Sequence, residues 1–339
     1  MRLAALAGGV GGAKFVDGLA RVPLGWGEVS DLPPQETAGL NNSAGSETRA
    51  EHGLTVIVNV GDDFDHLGLR ICPDLDTVVY TLAGIANPET GWGLTGETWR
   101  AMDMLDRLGG EAWFRLGDRD LGMHLFRTAA LAHGKRLTEI VAEACSRLGV
   151  TARVLPAADS PVPTVVETDE GTLEFQEYFV RRRCEPVVRR LRFEGIESAR
   201  PTDEVLAAVD EADLIALCPS NPLVSIDPIL ALGDMRERLK RKPVVAVSPI
   251  IGGQAVKGPA AKMLRELGYE PSSLSVARRY ADFLDMLVID SVDRDQRLEI
   301  ERLGVRVLVT ETLMSSMEDR ARLAGAVLDF AGEGMKVEG

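Results

Sequence analysis

Apolar residues in this chain fall into short unbroken runs, with little strict alternation. Residues 3–7, 54–60, 213–218, 244–248, 286–290 and 305–310 are such runs. Runs of this length suit strands buried on both faces of a parallel sheet. Between them lie stretches with helical spacing: 13–20, 202–212, 227–241, 259–267, 293–303 and 317–331. The alternation predicts an α/β fold, a Rossmann-like, doubly wound, mostly parallel sheet, in a single domain over residues 1–339. Ligands of such sheets bind beyond the carboxyl ends of the strands, so the loops that follow strands are where chemistry is expected.

Two regions interrupt the pattern. Residues 92–150 contain helical stretches such as 137–148 and no convincing strand, which predicts a helical insertion. Residues 163–196 read as a small antiparallel β element. Strands at 165–168 and 172–180 flank the turn residues Asp169, Glu170 and Gly171. Residues 25–53 are rich in Gly, Pro, Ser, Asn and Glu with little apolar periodicity, and read as a long mobile surface loop.

Charge narrows the partners. The 339 residues carry 38 Lys and Arg against 52 Asp and Glu, a net charge of −14. Such a chain is a poor candidate for wrapping a polyanion, so nucleic acid is excluded as the expected partner. At 5% aromatic content, a stacking platform for many bases is excluded as well. The 45% of hydrophobic residues supports a full core. Cys72, Cys145, Cys184 and Cys218 form no CxxC pair, which suits a reducing cytoplasm. The four histidines show no HxxxH or HExxH spacing. No apolar run approaches the ~18 residues of a membrane span. The start of the chain, 3–13, reads as a buried strand running into a glycine turn, not an export signal. Arg181, Arg182, Arg183, Arg189, Arg190 and Arg192 form a dense basic cluster, either a solvated strand face or an anion or subunit contact.

Four loops carry candidate chemistry. In the first, Gly9, Val10, Gly11, Gly12 and Lys14 follow the first apolar run. Consecutive glycines let backbone N–H groups approach a phosphate, and a following helix N-terminus adds a positive field. The segment matches neither a Walker A loop nor GxGxxG; a tight turn is the plainer reading. In the second, Asp62 and Asp63 end a buried strand, with Asp74 and Asp76 shortly after. Adjacent carboxylates need a counter-charge, and a hard cation such as Mg2+ would supply it, which gives at least one of Asp62 and Asp63 a metal or proton-transfer role. Asp76 also reads as the N-cap of a helix from Thr77. In the third, Ser220, Asn221 and Pro222 sit in a proline-shaped loop able to meet a base edge or a phosphate, although an ordinary strand-to-helix loop looks similar. In the fourth, Gly252, Gly253, Lys257 and Gly258 suggest a further anion cradle. Weaker signals are the charged turn 117–120, read first as a helix cap, and Trp92 and Trp99, equally suited to core packing. His66 is given no catalytic role.

The motifs LAGGVGGAKF (6–15), VNVGDDFDHLGLRICPDLDTVVYTLAG (58–84), RLGDRD (115–120), CPSNPLVSIDPIL (218–230) and SPIIGGQAVKG (248–258) together resemble the 2-phospho-L-lactate transferase family of deazaflavin coenzyme biosynthesis. The resemblance spans residues 1 to about 331; segment 25–53 departs from it, being longer and more polar. It implies an Mg2+-dependent transfer. A phosphorylated three-carbon acid, activated as a diphospho-guanosine, passes to the ribityl hydroxyl of the deazaflavin Fo, and GMP leaves. It implies small-molecule partners and a homodimer in the cytoplasm. It also implies that Asp62, Asp63 and Asp76 hold the metal, that Gly9–Gly12 and Lys14 face the phosphates, and that Ser220, Asn221 and the 252–258 loop hold the guanosine end. The acid is phosphoenolpyruvate, 2-phospholactate or phosphoglycerate, which one sequence does not separate. A sister family of non-catalytic nucleotide-sugar-binding regulators shares the glycine and aspartate regions and is the alternative. A dinucleotide-dependent oxidoreductase lacks its ribose-binding acidic residue here, since the polar loop occupies that region.

Overall fold

Seven strands pair in parallel into one sheet. The structure is a computed structural model and describes residues 1–24 and 53–335. The polar loop expected at 25–53 therefore lies outside the described residues, save Gly53.

The chain begins with β1 (Leu3–Ala7), α1 (Gly9–Arg21) and β2 (Leu54–Val58), then a small hairpin, β3 (Phe64–His66) and β4 (Leu69–Ile71), and α2 (Pro73–Leu82). A helical lobe follows: α3 (Arg100–Arg107), α4 (Asp120–Ala132) and α5 (Leu137–Arg147). β5 (Arg153–Pro156) returns to the main sheet. β6 (Thr164–Thr168), β7 (Gly171–Glu174) and β8 (Val188–Phe193) form a separate three-stranded antiparallel sheet. The second half contains α6 (Asp203–Glu211), β9 (Leu214–Leu217), α7 (Asp227–Leu230), α8 (Met235–Leu239) and β10 (Val244–Val247). A two-residue-strand hairpin, β11 (Ile250–Ile251) and β12 (Gln254–Ala255), precedes α9 (Ala260–Glu266) and α10 (Ser273–Tyr280). β13 (Met286–Asp290), α11 (Arg297–Glu301), β14 (Arg306–Thr310) and α12 (Met317–Met335) complete the fold.

The main sheet runs β14-β13-β10-β9-β1-β2-β5. All residues of β1, β9, β10 and β13 are buried, though alternate side chains point to opposite faces. Both faces are therefore covered, as the unbroken apolar runs require. Each fully buried Leu or Val there contributes roughly 1.5–3 kcal/mol relative to exposure. β2 and β5 extend the sheet to one side of β1, and β9 to β14 to the other. The order reverses between β1 and β9, so a crevice opens beyond their carboxyl ends.

Some elements differ from the sequence reading. The glycine segment is not a turn: α1 begins at Gly9, and Gly11 and Gly12 lie inside it. The helix expected over 227–241 is broken, because a π-turn over Pro222–Ile226 leads into α7 and Gly233, at φ +49°, separates it from α8. The strand expected over 172–180 ends at Glu174; a π-turn over Glu177–Arg181 follows, with Tyr178 buried and Phe175 stacked on Phe179 at 5.6 Å. The helix expected over 293–303 starts as a 3-10 turn, Ser291–Gln296. Asp76 is not an N-cap: α2 starts at Pro73, whose fixed φ suits a first helical position, and Asp76 lies in its first turn. The hairpin β3–β4 and the edge strand β5 had no clear pattern, being three to four residues long.

Candidate functional site

The crevice is walled by α1 and the loop after β9. Ser220 Oγ accepts from Gly8 N at 3.0 Å and donates to Gly8 O at 2.8 Å. A Cβ on Gly11 would run into the Pro219 carbonyl, and one on Gly12 would meet Ser220 Oγ and lie 3.3 Å from Ala7 Cβ. These two glycines thus serve close helix-to-loop packing. Gly9, at φ +61°, takes a conformation that disfavours any side chain, and its N–H donates to Asp74 Oδ1 at 2.7 Å. A carboxylate therefore already sits at the positive N-terminal end of α1.

That carboxylate belongs to a buried group. Asn59, at the end of β2, places its Nδ2 3.0 Å from Asp62 Oδ1, 2.9 Å from Asp74 Oδ2 and 3.1 Å from Val224 O. Its Oδ1 accepts from Gly61 N at 2.8 Å, which shapes the turn carrying Asp62 and Asp63. Asp62 and Asp74 thus share one amide donor. Burial and the Asp74 charge push the Asp62 carboxyl well above the usual carboxylate range. Burial raises Asp74 to about 6, opposed by its bonds from Asn59, Gly9 and Ser225. Burial raises Asp63 to about 8, against a bond from Cys72 and the charges of Arg127 and Arg70. Asp63 Oδ1 is buried with no hydrogen-bond partner.

Asp76 has a different neighbourhood. The buried Arg127 of α4 binds both its oxygens, Nη1 to Oδ2 at 3.1 Å and Nη2 to Oδ1. His124 Nδ1 stands 3.7 Å from Asp76 Oδ2, its Nε2 stands 3.4 Å from Asp120 Oδ2, and Tyr80 OH donates to Asp120 Oδ1 at 2.6 Å. Asp76, Asp120 and His124 are close enough together to hold an ion. A cation there would face the Arg127 guanidinium, which already supplies the positive charge. Among the described residues, no Lys, Arg or His forms an ion pair with Asp62, Asp63 or Asp74. Asp62 and Asp74 share Asn59 without a paired cation and Asp63 has an orphaned oxygen, so these buried carboxylates offer the oxygen donors that a hard divalent ion such as Mg2+ takes, while Asp76, Asp120 and His124 are the set already close enough together for one ion.

The remaining loops are only partly brought here. Lys14 Nζ donates to Met314 O at 2.9 Å; burial lowers its pKa, as do the charges of Arg320 and Lys257. Lys257 Nζ reaches Thr90 O at 2.5 Å and lies over Gly91, beside Val10. The two lysines therefore converge beside α1. Gly252 and Gly253, at φ +56° and +75°, form the β11–β12 turn, and Gly252 N is engaged by Asp293 Oδ2 at 3.1 Å. Gly258, at φ +75°, leads into α9. Asn221 caps the π-turn by accepting from Leu223 N at 3.0 Å, and Pro222 is buried.

A model of the 2-phospho-L-lactate transferase CofD family matches residues 3–313. The chain belongs to that family. It is 38% identical over 323 residues to a 2-phospho-L-lactate transferase of Methanosarcina acetivorans, covering 95% of this chain and 97% of that one. It is 40% identical over 339 residues to a phosphoenolpyruvate transferase of Thermobifida fusca, covering 98% of each. A crystal structure of a UPF0052-family protein from Bacillus halodurans shares the fold, with TM-score 0.59 at 14% identity over 96% of this chain and 98% of that one.

In this CofD-family chain the grouping of Asp62 and Asp63 with Asp74 holds for Asp62, which Asn59 joins to Asp74, whereas Asp76 is turned to Arg127. Asn59 and Asp74 were legible as polar residues near strand ends, without their shared role. Arg127 carried no local signal, lying 51 residues from Asp76. Beyond Asp63, the rings of Phe64, His66, Trp113 and Phe114 cluster with centroids 4.9 to 6.3 Å apart, and Arg181 stands 6.0 Å over Trp113. The charged turn 117–120 caps helices, as first read: Asp118 accepts from Arg100 N and Ala101 N, and Glu97 from Arg119 N and Asp120 N. In the basic cluster Arg181, Arg182 and Arg192 pair with Glu177, Glu170 and Glu167. Two cavities of about 770 Å3 are not lined by these aspartates; one takes Arg236, Tyr269, Arg279 and the predicted site residue Pro222, the other Arg200 and Asp234.

Proposed function

We propose that this chain transfers a phosphorylated three-carbon acid, phosphoenolpyruvate or 2-phospho-L-lactate, from a diphospho-guanosine form to the ribityl hydroxyl of Fo, releasing GMP. The observation that carries this reading is the unpaired buried pair Asp62 and Asp74, joined by Asn59 beside the N-terminus of α1 at the sheet's switch point, with Asp63 next in the chain. Family membership and the names of the relatives support a transferase of this kind.

The hydroxyl oxygen bonds to the phosphorus of the acid's phosphate, and the bond to the bridging oxygen of the diphosphate breaks, so that GMP leaves. Asp62, Asp63 and Asp74 would hold Mg2+, which supplies charge neutralisation for the diphosphate when bound. Asp63, whose Oδ1 has no hydrogen-bond partner, is the carboxylate with an oxygen free to take the hydroxyl proton. Lys14 and Lys257 attract the donor's phosphates, while Ser220 holds the glycine segment in place. Among the described residues no helix is long and apolar enough to cross a membrane.

Incubation with Fo, Mg2+ and each guanosine-activated acid, followed by mass measurement of the deazaflavin product, tests this directly. A product heavier by the phosphorylated acid is expected. Absence of product with every donor, together with tight binding of a UDP-sugar, would favour a nucleotide-sugar-binding regulator instead.

A further inference from the structure

The helical lobe contributes one buried charge that the transfer reaction above does not use. Arg127 is 2% exposed. Arginine is almost never so deeply buried unless paired. Its guanidinium forks onto both oxygens of Asp76, a geometry that lysine cannot reproduce. Arg127 Nη1 also donates to Arg70 O at 3.2 Å, and the adjacent Thr128 Oγ1 accepts from Arg70 N at 2.9 Å. One turn of α4 therefore grips both the N-terminal turn of α2 and strand β4.

Both gripped elements lead to the carboxylate group. Asp76 follows Asp74 by two residues in α2. β4 pairs with β3, which starts at Phe64, directly after Asp63. Between them Cys72 bonds to the Asp63 carboxylate. Displacing Arg127 would remove the bonds to Asp76 and to Arg70 O, leaving the Asp76 charge buried with only His124, 3.7 Å away, beside it. A buried ion pair is often no more stabilising than well-packed apolar residues in its place. Stability alone therefore gives little reason for a buried arginine here, and geometry gives a better one.

We propose that Arg127 is a positioning residue for the transfer. It is the built-in cation of Asp76, and it fixes α2 and the β3–β4 hairpin so that Asp62, Asp63 and Asp74 stay in register. Asp76 is then scaffold, with both oxygens taken, and is not a metal ligand. The proposal rests on the reading of Asp62, Asp63 and Asp74 as the cation-holding group.

The test combines Arg127→Met, Arg127→Lys and Asp76→Asn with thermal melting, steady-state kinetics and Mn2+ affinity by electron paramagnetic resonance. Loss of a residue that orients metal ligands costs roughly 10- to 100-fold in metal affinity or activity. Folded Arg127→Met should therefore lose about 100-fold in kcat and about tenfold in Mn2+ affinity, with the KM for Fo within about threefold. Arg127→Lys keeps the charge but not the fork, and should lose at least about tenfold in kcat. It carries the test if the Met variant does not fold. Asp76→Asn breaks the same fork without removing a ligand atom, and should lose no more Mn2+ affinity than Arg127→Met does. Unchanged kcat and Mn2+ affinity in a folded Arg127 variant would overturn the proposal, as would a loss of Mn2+ affinity in Asp76→Asn far larger than in Arg127→Met. If the unaltered chain turns over no guanosine-activated donor, the transferase reading falls, and the Mn2+ measurements still decide the role of Arg127.

Discussion

Ser220 holds Gly8 by both of its backbone polar groups, accepting from the N–H at 3.0 Å and donating to the carbonyl at 2.8 Å. The pair joins the loop after β9 to the loop after β1, the two strands between which the sheet order reverses. In Ser220→Ala both Gly8 groups lose their buried partner. An unsatisfied buried group costs about 1–3 kcal/mol. Urea unfolding should show a loss in that range, and the KM for the donor should rise. Unchanged stability and KM would show that the contact is dispensable.

Gly11 marks the closest approach of α1 to the same loop. Alanine there drives its Cβ into the Pro219 backbone carbonyl, which cannot swing aside. Overpacking of this kind costs typically 1–3 kcal/mol, although alanine has the better helix propensity. Gly11→Ala should therefore lower the melting temperature, whereas alanine at the exposed helical Gly122, where nothing lies within 4 Å, should not. Equal melting temperatures for the two variants would contradict the packing account.

Asp62 and Asp74 are buried like charges that share one amide donor and have no paired cation. Replacing Asp62 with Asn removes the repulsion and keeps the shape. Without metal, Asp62→Asn should be as stable as the unaltered chain or more so at pH 8, while turnover with Mg2+ falls by at least about 100-fold. Calorimetry and product mass measure the two effects. A destabilised variant with full turnover would reverse the assignment.

The raised carboxyls set a pH dependence of definite sign. Asp74 at about 6 and Asp63 at about 8 stand above the ordinary value of 3.8. Between pH 4 and 8 the folded chain keeps protons that the unfolded chain has released. Stability of the metal-free protein should therefore fall as pH rises through this window. Asp63→Asn should flatten the upper part of the curve, from about pH 6 to 8. Added Mg2+ should flatten it too, since a cation replaces the protons. Chemical denaturation at several pH values checks this, and a slope of the opposite sign would refute the burial account of Asp63.

The apolar runs alone determined the parallel sheet, because residues buried on both faces must be apolar throughout. Six of its seven strands were legible for that reason; β5, only Arg153–Pro156 at an edge, was not. The strand-end positions of Gly9, Asp62 and Ser220 were legible too, since a doubly wound fold gathers its functional loops at one end. Which charge meets which was decided only by tertiary structure. Asp74 and Asp76 sit two residues apart with the same chemistry. The helical turn sends Asp74 to Asn59 and Gly9, and Asp76 to Arg127. The pairing of Asp76 depends on how α4 docks against α2, and no local spacing encodes a contact across 51 residues. Burial then does the rest, because in a low-dielectric interior a carboxylate with a guanidinium is settled, and one without is left to bind a proton or a metal ion.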